Sequence, residues 1–480
     1  MSRPNVLIFM PDQQRADCVG AFGNSVVQTP NIDALAARGV RFTDAYSQHP
    51  VCGPSRVSLM TGWYPHVAGH RTLDHLLRPD EPNLLRLLKD GGYQVCMPGH
   101  RGDVFAPGVT EASTDVCGFL VAPERPNWQV AFPPDHRMHR GFYFGRQGDE
   151  PVLDGDEATV QSALRFLAER GDDQRPWAMW VPLIFPHPPF MVEDPWFSLH
   201  DRADVPLPID ATTARGKPAF MAPYRDIYGW GDLDEADFRE IIATYYGMVS
   251  RTDDQLGRIV GAIERQGELD DTIIVYLTDH GEYLGDYGLV EKWPSGLDSS
   301  LVRNPLIIAG PGVAEAAACR SLVELVDVLP TILDLAQIEP SHTHFGRSLV
   351  HVLRDPSAPH RDLAFSEGGF ATRDAHLLER PGWLYEPKGR LQHEQPQLVG
   401  TAISVRNSTH TYVYRAYESD ELYDRATDPS ETINRIDDPD LTAVGTRLRD
   451  HILEWLVDTT DVIPWSKDPR FPDLHHGWRT

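Results

Sequence analysis

Cysteine is scarce in this chain. Its 480 residues hold only Cys18, Cys52, Cys96, Cys117 and Cys319, odd in number and scattered without a closely spaced pair. That pattern argues against a disulfide framework and against a structural zinc site. Positive charge is also in short supply. Lys and Arg total 44 against 70 Asp and Glu, a net charge of −26, which argues against nucleic acid or an anionic membrane surface as partner. Long hydrophobic runs are missing too. The apolar stretch Val6 to Met10, just after Met1-Ser2-Arg3-Pro4, is too short for a signal-peptide core or a membrane span. The expectation is a cytoplasmic protein. The chain shows no internal repeat and no low-complexity segment.

With 41 % hydrophobic residues, a chain of this length buries a large core and exceeds one simple layer. We expect a catalytic α/β domain over 1–340 and a smaller α+β subdomain with an extended tail over 341–480. Apolar runs alternate with helical patterns. Val6 to Met10 precedes a helix Asn31 to Arg38 stopped by Gly39, and Leu84 to Lys89, stopped by Gly91, precedes a strand Tyr93 to Met97. A later unit repeats the logic, with a helix around Asp253 to Gln266, a Gly267 stop and a strand Ile273 to Leu277 that ends at Thr278-Asp279-His280. Open α/β sheets gather ligands at the carboxyl ends of their strands. Asp12 follows the first strand and Asp279 a late one, so both are expected to converge. After Pro340 the pattern changes to short alternating segments, Ala402 to Arg406 and Thr411 to Arg415, then a helix near Leu441 to Val457. This part reads as a small antiparallel sheet with a terminal helix.

The densest chemistry lies in Cys52-Gly53-Pro54-Ser55-Arg56, continuing through Leu59 to Thr61-Gly62. Pro54 suits the first helical position and Gly62 the stop, which puts Cys52 at the positive end of a short helix with Arg56 one turn later. A buried cysteine is also commonly just a small hydrophobe, and Ser-Arg after Pro an ordinary helix start. The choice rests on partners elsewhere in the chain.

Those partners occur in order: Asp12, the cysteine run, Asp279-His280-Gly281-Glu282, and Leu422-Tyr423-Asp424 through Asp428-Pro429. Together they resemble the type I, formylglycine-dependent sulfatases of the alkaline phosphatase superfamily. The resemblance implies a large, mainly parallel mixed sheet between helices with a smaller C-terminal antiparallel sheet. It also implies that Cys52 is oxidised to formylglycine by a formylglycine-generating enzyme, and that the hydrate of this aldehyde attacks an organic sulfate ester.

Sulfate ester hydrolysis needs a nucleophile, a Lewis acid, cations for the equatorial oxygens and a proton donor for the leaving alcohol. By the resemblance, Asp12, Gln13, Asp279 and His280 hold one divalent metal ion. Singly, Asp12 also reads as a strand-end turn and Asp279 as a helix cap. The common family pattern puts Asp at the position of Gln13 and Asn at that of His280. Calcium follows from the resemblance, and manganese is the alternative that fewer carboxylates and an imidazole favour. Lys292 matches the family lysine that bridges sulfate and leaving-group oxygens, although a lone lysine is ordinarily a solvated residue. His187, between Pro186 and Pro188, matches the histidine that protonates the leaving group, against the plainer reading of a histidine in a turn.

Where the family has Gly-Lys-x-His, this chain has Gly99-His100-Arg101-Gly102. His100 is therefore the candidate sulfate donor there. His75, Trp128 and Arg137, with His136 and Arg140, are candidate substrate contacts from loops that also carry such residues without function. The pairing of Gln13 with His280 is similar to the phosphonate monoester hydrolase subgroup. The readings are thus a sulfatase for a small or oligosaccharide sulfate, a phosphonate monoester or phosphodiester hydrolase on the same site, or a non-catalytic binder of sulfated ligands. The acidic surface disfavours long, highly sulfated polymers. The tail with Pro464-Trp465 and Phe471-Pro472 suits either docking on a neighbouring copy in a homo-oligomer or packing on its own surface.

Overall fold

The computed structural model describes residues 3–99, 104–171 and 173–465. Within them, nine strands form one twisted sheet. Its order runs Ala317–Cys319, Gly39–Tyr46, Arg303–Ala309, Thr272–Leu277, Asn5–Met10, Trp177–Pro182, Gln94–Met97, Val116–Cys117, with Val323–Glu324 also pairing to Gly39–Tyr46. All neighbours are parallel except where Arg303–Ala309 inserts antiparallel to the strands on both its sides. The central strands are buried on both faces, which is why they read as continuous apolar runs rather than alternating ones. Separate apolar clusters fill the two faces, one around Ile8, Val275 and Leu329 and one around Phe9, Tyr276 and Leu256.

A second, antiparallel sheet joins Ala364–Gly368, Ala402–Arg406, His410–Arg415 and Glu421–Asp424. The helix Thr442–Thr459 packs on it through Leu448, Ile452 and Trp455. The fold is therefore the mixed α/β arrangement expected from the strand pattern, with the small sheet apart from the large one.

The long helix Glu235–Arg265 starts well before the expected Asp253. Asp234 and Asp237 close a capping box at its start. Its middle, from Ile241 to Asp253, is buried all round, so no 3.6-residue stripe marks it in the sequence. Gly247 is required there: a β-carbon would stand 2.6 Å from the carbonyl oxygen of Trp196. The helix Cys52–Thr61 also differs slightly from expectation. It begins at Cys52 itself, with Pro54 still inside the first turn, where N–H groups lack intrahelical partners. Gly62 ends it in the left-handed conformation at φ 70°.

Candidate active site

Register builds the site. Strands Asn5–Met10 and Thr272–Leu277 run parallel with Phe9 opposite Tyr276. Counting three residues on from each places Asp12 level with Asp279 at the carboxyl edge of the sheet. The Thr278 hydroxyl fastens the two exits together, donating to the Pro11 carbonyl at 3.0 Å and accepting from the Gln14 amide at 3.1 Å. The strand Trp177–Pro182 borders the first strand on its other side. The Asp12 amide donates to the Phe185 carbonyl at 3.2 Å, which draws the loop bearing His187 to the same edge.

The helix Cys52–Thr61, all ten residues buried, points its start at this edge. The Cys52 thiol lies 3.4 Å from Asp12 Oδ1 and 3.1 Å from His280 Nε2. Ligand atoms of Asp12, Cys52, Asp279 and His280 all fall within 4.8 Å of one another. Arg56 is fully buried behind them, its Nε donating to Asp279 Oδ2 and one terminal nitrogen to Asp12 Oδ2, both at 2.7 Å. Burial and the neighbouring Asp12 push the Asp279 carboxyl up, and Arg56 and His280 override them, leaving it below its usual range. Burial holds His280 below the ordinary imidazole value. Its Nδ1 lies 2.8 Å from the Gly281 carbonyl. In the neutral ring Nδ1 is then the N–H donor, and Nε2 carries the lone pair that faces the cysteine and the carboxylates.

This donor set fits a hard or borderline divalent cation. Two carboxylates meet in a dry pocket with one guanidinium between them, and their inner oxygens share a point with an imidazole lone pair. Gln13 stands beside that point and is otherwise engaged. Its amide nitrogen donates to Glu282, its Oε1 accepts from Lys292 Nζ at 2.5 Å, and its backbone N–H donates to Asp279 Oδ1 at 3.0 Å. Gln13 adopts φ 62°, a region costly for a side-chain-bearing residue. The Asp279 contact and the Tyr245 hydroxyl, which donates to its carbonyl at 2.7 Å, hold it there.

Lys292 is buried and its ammonium meets Gln13, Glu291 Oε1 at 2.7 Å and His187 Nε2 at 2.9 Å. Burial works against its charge, and the Cys52 sulfur and Glu291 more than restore it, so Lys292 stays protonated. His187 places Nδ1 2.7 Å from the Pro188 carbonyl, leaving Nε2 of the neutral ring as acceptor toward Lys292. Glu291, also at positive φ (68°), takes a second lysine on its other oxygen: Lys388 Nζ at 2.6 Å. Burial pushes the Glu282 carboxyl up to about 7, with Glu291 adding to it.

Cys52, His187 and Lys292 open onto a cavity of about 470 Å³ whose walls include Leu73, Ile184, Phe370, Leu378, Pro381 and Tyr385. The candidate substrate contacts His75, Trp128 and Arg137 are not among its described lining residues. His75 is exposed, and its Nδ1 meets the Thr72 hydroxyl at 2.6 Å. Trp128 is half-buried against the hydrophobic core. Arg137 faces a different cavity and pairs with Asp234 and Asp237. His136 stacks on Phe132 in that same region, and Arg140 pairs with Asp232. In this region Arg137 and Arg140 are taken up by carboxylates at and before the start of the long helix. His100 lies outside the described residues. Sequence reasoning missed Glu291, Tyr385 and Lys388 as parts of the site; adjacency to Lys292 signals the first, and no motif marks the other two.

Residues 4–338 match the family described as Sulfatase. A multifunctional alkaline phosphatase superfamily protein of Trinickia caryophylli is 29 % identical, covering 96 % of each chain. An uncharacterized sulfatase of Escherichia coli strain K12 is 27 % identical over 98 % of this chain and 92 % of its own. The crystal structure of the phosphonate monoester hydrolase of Agrobacterium radiobacter superposes with TM-score 0.76 at 24 % identity, covering 95 % of this chain and 96 % of that one. With the family matched across most of its length and the fold shared end to end, this chain belongs to the sulfatase family of the alkaline phosphatase superfamily and is an enzyme of sulfuric ester hydrolysis.

Proposed function

We propose that the protein hydrolyses an organic sulfate ester with formylglycine, formed from Cys52, as nucleophile and with one divalent cation held by Asp12, Asp279, His280 and the residue at 52. The observation that carries this reading is the convergence of four ligand atoms within 4.8 Å, the reactive cysteine's sulfur among them. When bound, the cation supplies a Lewis acid, and the aldehyde hydrate supplies one hydroxyl to attack sulfur and a second whose deprotonation releases sulfate. The remaining work falls to side chains already in place. Arg56 fixes both carboxylates in orientation. Lys292 faces the cavity with a proton it keeps at neutral pH, suited to a charged ester oxygen. His187 accepts from that ammonium, so the pair forms a two-atom path for a proton toward the departing alcohol.

Two carboxylates with an imidazole suit manganese better than calcium. The maturation partner implied is a formylglycine-generating enzyme. The test is the mass of the tryptic peptide Phe42 to Arg56 after production alongside such an enzyme, together with the metal content of the purified protein. Conversion of the thiol to the aldehyde supports the reading. An unmodified thiol, in a host that converts a control sulfatase, removes the nucleophile and favours a non-catalytic binder of sulfated ligands.

A second reading is a phosphonate monoester or phosphodiester hydrolase on the same groups. Its support is Gln13, whose uncharged amide bridges Lys292 and Glu282 beside the cation site, and the likeness in fold to a phosphonate monoester hydrolase. Matched aryl sulfate and aryl phosphonate esters, compared by kcat/KM, separate the two: a large preference for phosphonate sinks the first reading.

A further inference from the structure

The cavity above Cys52 carries four charged side chains beyond the reacting groups already described, and their states differ. Arg71 is occupied, donating to Glu367 and to the Gly369 carbonyl. Lys388 is occupied by Glu291, which it shares with Lys292. Glu379 is only half used. Its Oε1 accepts from the Leu73 amide at 2.5 Å, and no group among the described residues engages Oε2. Beside it, Gln392 lines the same cavity, is 5 % exposed, and its side-chain amide has no hydrogen-bond partner among the described residues. An amide that faces the cavity without a protein partner offers both a donor and an acceptor to a ligand. Glu379 and Gln392 are held together: the His393 ring, next in sequence to Gln392, lies 3.0 Å from the Glu379 carbonyl oxygen. Apart from Thr72, the rest of the wall away from the reacting groups is apolar and aromatic.

We propose that Glu379 and Gln392 form the polar end of a leaving-group subsite, and that the substrate is a singly anionic ester of a compact, largely apolar alcohol carrying a hydrogen-bond donor away from the ester. This rests on the ester-hydrolase reading of Cys52 and names the alcohol that reading leaves open. The physical argument is one of complementarity. Arg71 and Lys388 are engaged by protein carboxylates, whereas Glu379 Oε2 and the Gln392 amide are not. A hydroxyl or ammonium on the alcohol satisfies both, and a second anionic group meets the Glu379 carboxylate in a largely apolar pocket. A cavity near 470 Å³ matches a ligand of about one ring with a short substituent rather than a polymer.

The experiment is calorimetry on the full-length Cys52→Ala protein loaded with manganese, which binds esters without turning them over. The probes are phenyl sulfate, 4-(hydroxymethyl)phenyl sulfate and 4-carboxyphenyl sulfate. We expect the hydroxymethyl ester to bind at least about tenfold more tightly than the carboxy ester, with phenyl sulfate between. Adding Glu379→Gln is expected to shrink that gap to about threefold or less by strengthening the carboxy ester. Gln392→Leu provides an independent arm, expected to weaken the hydroxymethyl ester alone, should the Glu379 variant lose thermal stability. Equal binding of hydroxymethyl and carboxy esters, no binding of any probe, or a gap that survives both substitutions overturns the proposal. Alcohol release by the matured wild-type enzyme is followed separately. Ordered binding without release refutes the catalytic reading while the subsite stands.

Discussion

Two buried clusters in this molecule have nearly the same composition and opposite uses. At the sheet edge, Arg56 sits between Asp12 and Asp279 with His280 beside them. Near the end of the strand Val323–Glu324, Arg361 sits between Glu324 and Asp327 with His360 beside them. In the second cluster every carboxylate oxygen is closed by the protein. Glu324 Oε1 accepts from the Phe365 amide at 2.6 Å and Oε2 from the Tyr64 hydroxyl at 2.6 Å. Asp327 accepts from the amides of Arg347 at 2.7 Å and Glu324 at 3.0 Å. In the first cluster Asp279 Oδ1 is likewise taken by the amides of Gln13 at 3.0 Å and His280 at 2.9 Å, but Asp12 Oδ1 and His280 Nε2 converge on the Cys52 sulfur beside a cavity. Residue types do not separate a site from a structural knot. A sulfur at the meeting point and a cavity beside it do.

The sharpest break in that comparison is Cys52→Ala. It is expected to abolish hydrolysis while leaving the thermal midpoint almost unchanged, since it removes the attacking group and little volume; sustained turnover by the variant would refute the mechanism. Next, Asp279→Asn and Asp327→Asn are paired. Loss of groups that merely support metal ligands costs about 10–100-fold in affinity, so Asp279→Asn is expected to weaken manganese binding at least about a hundredfold, read by titration calorimetry. Asp327→Asn is expected to leave that affinity unaltered and to lose about 3 kcal/mol in urea unfolding, because buried Arg361 and His360 would lose a charged partner and Arg361 would keep only Glu324. If the effects of the two substitutions were exchanged, the assignment of the clusters would be wrong.

The smallest effect concerns acid. Glu367 is buried, and although burial raises it, Arg71 and His66 hold it at about 2 against an ordinary 4.5. Its folded value is depressed, so its contribution to stability is fully present above pH 4.5 and is lost as pH falls toward about 2. Glu367→Gln is therefore expected to flatten the acid limb of the stability profile between those values. An unchanged slope in acid denaturation would show that this closed carboxylate does not govern it.

The sequence made the scaffold legible where burial is two-sided. Val6–Met10 and Ile273–Leu277 are apolar throughout because helices cover both sheet faces, and that pattern led directly to Asp12 and Asp279. The helix middle Ile241–Asp253 was hidden by the same fact, since uniform burial erases periodicity. In the site, Cys52, Arg56, Lys292 and His187 stand in short motifs whose neighbours set local geometry. Glu379, Tyr385, Lys388 and Gln392 do not: their positions depend on how a segment beyond the large sheet folds back over it. Trp128 and Arg137 lie in a stretch with the composition of a binding site, and Arg137 pairs with Asp234 and Asp237 at the start of the long helix.

Burial of the helix Cys52–Thr61 has a consequence for timing. Its ten residues are buried, with only Cys52 meeting the cavity, and the edge it faces exists only once residues 272–277 have paired beside residues 5–10. If Cys52 is modified as proposed, an enzyme that needs extended chain around it finds none in the finished protein. The opportunity lies between emergence of this segment from the ribosome and arrival of the late strand, more than two hundred residues afterwards. On that reading, speed of synthesis against speed of modification would set what fraction of molecules becomes active.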